Sequence, residues 1–133
     1  MSLEENFSAC FVRREENSFL YHIPADFPAF NGHFEGNPLL PAVCQMGLCA
    51  DALSRQEGKP VEVAEVVRSK FMRPIGPGSR VRVSFTPRPE GKFLAELSSL
   101  STEEKFSQII LRVKELICRK FLILLLPKAH LLR

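Results

Sequence analysis

Asn31-Gly32-His33-Phe34-Glu35-Gly36-Asn37-Pro38-Leu39-Leu40-Pro41-Ala42-Val43 places an imidazole in a proline-stiffened stretch, eight residues before Pro41. From Pro24 to Pro41 the chain carries four prolines and two glycines, which excludes a regular helix or a central strand. A long loop held in a compact domain is usually a functional one. Pro41 suits the first position of a helix, Ala42 to Gln56 continues without proline, and Gly58 offers a stop. A helix begins with unpaired N–H groups and a partial positive charge. Those near Ala42 and Val43 can hold a carbonyl oxygen whose negative charge grows during a reaction. A histidine beside a polarised carbonyl can take a proton from the adjacent carbon. Base and oxyanion site together are the minimum for chemistry α to a thioester.

The other reactive residue types are less informative. Cys10, Cys44, Cys49 and Cys118 form no CxxC pair, and His22, His33 and His130 are scattered. A zinc site of ordinary spacing is not expected, and no cofactor is implied. Cys44 lies near the loop, but no base is positioned for it, so the cysteines read as small buried hydrophobes in a reducing cytoplasm. The acidic start Met1-Ser2-Leu3-Glu4-Glu5 is not a secretory signal.

The elements that must position the loop follow from patterning. Phe7 to Arg13 and Ser18 to Ile23 read as a hairpin of two strands. The Ala42–Gln56 helix is apolar or small on almost every side, which predicts a helix buried nearly all round. Val61 to Phe71, Ser79 to Thr86, Lys92 to Leu100 and Lys105 to Lys114 read as strands, with Val81, Val83 and Phe85 alternating against Arg80, Arg82 and Ser84. The expected fold is α+β, an antiparallel sheet curling around one central helix. Residues 1–115 form one domain. Residues 116–133, apolar and basic, are an extension of open role.

At 133 residues the chain can bury a core without disulfides. A net charge of +3 is too weak to argue nucleic-acid binding, and the longest apolar run, Phe121 to Leu126, is too short to span a membrane.

Gly32-His33-Phe34-Glu35-Gly36-Asn37-Pro38-Leu39-Leu40-Pro41-Ala42-Val43 resembles the first signature of the hot-dog-fold 3-hydroxyacyl-[acyl-carrier-protein] dehydratases. Arg68-Ser69-Lys70-Phe71-Met72-Arg73-Pro74-Ile75-Gly76-Pro77-Gly78 resembles the second, in the expected order. The resemblance covers about Phe7 to Val113, and it looks closest to the short dehydratase-like subunits. It implies a helix wrapped by a sheet, and a dimer with sites at the subunit interface. His33 would come from one subunit, and an acidic residue fourteen positions later would come from the helix of the other.

In this chain that position is Gly47, which has no proton to give. Asp51, one helical turn further, is the candidate substitute. Its alternative is a satisfied buried acid paired with Arg55 at i+4. Gln45 could hold a water or the substrate hydroxyl but cannot act as an acid. The catalytic candidates are therefore His33 and Asp51, with Phe34, Ala42, Val43, Gln45 and Gly47 against the substrate.

The expected reaction removes water from a 3-hydroxyacyl thioester on acyl carrier protein or coenzyme A, in a homodimer or with a related hot-dog subunit. A non-catalytic acyl-binding subunit is the first alternative and an acyl-CoA thioesterase the second. Arg68, Lys70, Arg73, Arg80, Arg82 and Arg88 are either a solvated edge or a landing patch for an acidic carrier.

Overall fold

The computed structural model describes residues 3–30 and 38–115. His33 and Phe34 of the loop, and all of 116–133, lie outside the described residues. In chain order the elements are α1 (Leu3–Cys10), β1 (Phe11–Glu15), β2 (Ser18–His22), α2 (Ala42–Glu57), β3 (Val61–Phe71), β4 (Arg80–Arg88), β5 (Lys92–Ser99) and β6 (Lys105–Glu115). The strands form one sheet in the order β1-β2-β4-β5-β6-β3, and every neighbouring pair is antiparallel.

The period-2 alternation decides which side of the sheet meets α2. Val81 and Val83 of β4, Ala95 and Leu97 of β5, and Ile109 and Leu111 of β6 are fully buried. They join Cys44, Leu48, Cys49, Ala52 and Leu53 of α2 in a single core. Each such aliphatic side chain contributes ~1.5–3 kcal/mol by leaving water. This is the wrapped helix of a hot-dog fold. Gly58 ends α2 in the left-handed conformation (φ 70°), and its N–H bonds the Ser54 carbonyl at 2.9 Å. The Ser54 hydroxyl then accepts from the Val61 N–H at 3.0 Å and fixes the start of β3 to the helix.

Two expectations are corrected. Phe7 to Arg13 is not one strand: α1 runs to Cys10, and pairing with β2 begins at Phe11 opposite Tyr21. The segment Leu3–Cys10 holds no β-branched residue, and Phe7 and Cys10, at i and i+3, are both buried in the core that includes α2. Nor is α2 enclosed all round. One sheet covers one side, while Val43 is 66% exposed and Gly47, Ala50, Asp51 and Ser54 are only partly covered.

Candidate functional site

The first turn of α2 is where the two signature stretches meet. The Leu40 N–H bonds the Ile75 carbonyl at 2.7 Å, tying the proline loop to the segment after β3. Gln45 braces the same corner. Its amide donates to the Leu40 carbonyl at 3.3 Å, its carbonyl accepts from the Ser107 hydroxyl at 2.8 Å, and it is 4% exposed. A hollow of about 290 Å³ opens beside it, lined among others by Leu39, Ala42, Phe71 and Met72.

Pro41 caps the helix with its carbonyl, which accepts from Cys44 and Gln45. Among the described residues no acceptor meets the N–H groups of Ala42 and Val43. First-turn N–H groups of this kind are the donors an oxyanion site would use. Burial pushes the Cys44 thiol up, away from thiolate reactivity, so the neighbouring sulfur is a core atom.

Gly47 sits one turn further along α2, and its missing side chain has a physical partner. A Cβ at Gly47 would stand 2.1 Å from Cε2 of Phe7 and 2.6 Å from its Cζ. The Phe7 ring, 4% exposed, occupies the space that an acidic side chain at this position would need. The ring is stacked on Phe27, with centroids 5.8 Å apart. Proline, cysteine and histidine spacing gave no sign of this contact. Phe7 is forty residues away in sequence and was expected in a strand.

Asp51 is held by two donors. The Tyr21 hydroxyl donates to Oδ2 at 2.5 Å, and Arg55 Nε donates to the same oxygen at 2.9 Å. Burial, reinforced by Asp51, raises the Tyr21 phenol well above its ordinary range, so Tyr21 remains the donor. The Arg55 guanidinium also reaches the Ser8 hydroxyl of α1 at 3.0 Å and lies 3.8 Å over the Phe11 ring. The Arg55 partner was legible from the i+4 spacing. Tyr21, thirty residues from Asp51, was not.

Asp51 nonetheless lines a groove of about 630 Å³ along the open side of α2. Phe7 and Ser8 belong to its lining, with Val43, Gly47 and Ala50 along the helix and Val61 and Glu62 from the start of β3.

Helix geometry separates the first turn of α2 from Asp51 on one chain. Asp51 is eight residues beyond Val43, ~12 Å of axial rise. In a 3-hydroxyacyl thioester the hydroxyl is two carbons from the carbonyl, too close to span that distance. A substrate held by the Ala42 and Val43 amides thus cannot also present its hydroxyl to Asp51 of the same helix. Gln45 is equally committed, to the brace just described.

The basic residues fall into separate groups. Arg68 and Lys70 lie on β3, whereas Arg80, Arg82 and Arg88 lie on β4, with β5 and β6 between the two strands. Arg73 pairs with Glu104 at 2.8 Å. Among the described residues no group of three or more histidine, cysteine or acidic side chains could hold a metal, and no helix is long and apolar enough to cross a membrane.

Comparison with known proteins agrees with this architecture. The ApeI dehydratase family model matches residues 11–110. The 3-hydroxyacyl-[acyl-carrier-protein] dehydratase FabZ of Gluconobacter oxydans is 30% identical over 71 residues, covering 47% of this chain and 42% of that protein. FabZ of Granulibacter bethesdensis is 28% identical over 124 residues, covering 76% and 69%. The match thus spans less than half of the first of these relatives.

Among solved structures, the dehydratase heterocomplex ApeI:P from Xenorhabdus doucetiae superposes with a TM-score of 0.67 at 17% identity, covering 77% of this chain and 95% of that one. The dehydratase domain of MlnD from Bacillus amyloliquefaciens gives 0.54 at 14% identity, covering 77% and 40%. Both share the hot-dog fold. With 100 consecutive residues matched to the family model, and the two signature stretches joined at the mouth of α2, the chain belongs to the ApeI-like dehydratase family.

Proposed function

We propose that this chain is a subunit of a dehydratase acting on 3-hydroxyacyl thioesters, with each site completed by a second chain. The observation that carries the reading is the separation along α2. The first-turn amides of Ala42 and Val43 are at one end, Asp51 is ~12 Å further on, and the Phe7 ring fills the place beside Gly47 between them.

In this reading the Ala42 and Val43 N–H groups hold the thioester oxygen as negative charge builds on it. His33 removes the C2 proton, and that electron pair becomes the C2–C3 double bond. The C3–O bond breaks, and the hydroxyl leaves as water with the proton that His33 took from C2, while the carboxylate on the second chain's helix orients that hydroxyl by accepting its hydrogen bond. Phe34 and Val43 flank the acyl group, and Gln45 positions the loop rather than the substrate.

The second chain is another copy, which presents Asp51, or a related hot-dog subunit with its own acid. The family membership and the relatives named as acyl-carrier-protein dehydratases support the reaction class, and the ApeI:P heterocomplex supports a paired assembly. The carrier, acyl carrier protein or coenzyme A, supplies the thioester.

The test is hydration of crotonyl thioester by the purified chain. The expected result is turnover that falls ~10²–10⁴-fold in His33→Ala. Turnover equal in wild type and His33→Ala overturns the assignment of the base. Acyl-thioester binding with no turnover, alone or with a related hot-dog subunit, identifies an acyl-binding subunit instead.

A further inference from the structure

Resting on the reading just given, we propose that Phe7 of α1 determines which acyl groups this protein accepts, by forming the wall against which the acyl chain lies. A hydroxyl that meets Asp51 must lie in the groove along α2, because Asp51 is otherwise enclosed by Tyr21 and Arg55. The groove is not uniform around that carboxylate. Toward the C-terminal end of α2 its lining includes the ionisable Arg55, Lys59 and Glu62, beside Pro60 and Val61. Toward the N-terminal end it holds no ionisable side chain: Val43, Gly47, Ala50, Ser8 and the Phe7 ring. An acyl chain therefore extends toward Val43, and it passes the ring over Gly47 on the way.

The helix surface beneath the ring is stripped to hydrogen, so at Gly47 it is the Phe7 ring and not a helix side chain that bounds the groove. The ring is packed on both sides. It stacks on Phe27, and α1 is clasped to α2 at the next residue through Ser8 and Arg55. A rigid aromatic wall favours short or slender acyl chains, and a smaller residue there admits larger ones. The chemistry assigned to Phe7 is contact with methylene groups. It exchanges no proton and forms no bond, so its substitution should change selectivity more than the rate with the smallest substrate.

The experiment measures hydration of crotonyl, octenoyl and dodecenoyl thioesters by wild type, Phe7→Leu and Phe7→Ala, with binding of butyryl- and dodecanoyl-CoA followed by calorimetry on the same proteins. Phe7→Leu keeps a buried aliphatic side chain and covers the case in which Phe7→Ala fails to fold. The expected result is a rise of at least tenfold in the dodecenoyl-to-crotonyl ratio of kcat/KM on shortening Phe7, mirrored in the binding ratio, with crotonyl turnover changed far less. Turnover or binding that persists with an unchanged ratio in both variants overturns the role of Phe7 and leaves the dehydratase reading standing. No binding and no turnover of any acyl thioester by wild type overturns both.

Discussion

The two sides of α2 are built on different rules. The side facing the sheet carries Cys44, Leu48, Cys49, Ala52 and Leu53, all buried to within a few per cent against β4, β5 and β6. The open side carries Val43, Gly47, Ala50, Asp51 and Ser54, and it lines a groove that α1 and the start of β3 frame. Burial alone explains the first set. The second holds an exposed valine, a glycine in a helix interior that costs ~1 kcal/mol relative to alanine, and an aspartate tied to a tyrosine. Gly47 and Asp51 meet the core only at its margin, through the Phe7 ring and the Tyr21 hydroxyl, and Val43 meets solvent.

The contrast can be broken by substitution. Leu53→Ala on the sheet side should cost ~2–5 kcal/mol, read from urea unfolding. Gly47→Ala should destabilise by ~1–3 kcal/mol, against the ordinary gain in helix propensity, because the new methyl meets the Phe7 ring. In a Phe7→Ala background the same change should become stabilising, and a failure to reverse sign would show that the ring is not what Gly47 accommodates. Tyr21→Phe should cost ~0.5–1.5 kcal/mol, since Asp51 keeps its bond to Arg55. Val43→Ala should stay within ~0.5 kcal/mol while changing substrate binding.

Much of the frame was legible in the sequence because it rests on short-range signals. The alternation of β4, the proline at the start of α2, the glycine at its end and the i+4 pairing of Asp51 with Arg55 are all local. What was hidden depends on contacts between distant segments. Phe7 has meaning only once α1 folds across Gly47, and a glycine in a helix gives no hint of which ring fills its space. Tyr21 was an aromatic residue in a strand until the curl of the sheet brought its hydroxyl to Asp51. The helix reads as enclosed because it is apolar or small on almost every side, yet one sheet can cover only one side of a cylinder.

The central claim is that base and acid come from different chains, and mixing two defective variants tests it. His33→Ala and Asp51→Asn, each purified and each depleted in crotonyl-thioester hydration, are combined, allowed to exchange subunits and assayed. A site built across two copies has one intact His33–Asp51 combination in every mixed dimer. The account predicts recovery to roughly a quarter of wild-type turnover at equal mixing. A mixture as inactive as its two components, under conditions where wild type turns over and subunits exchange, would contradict it.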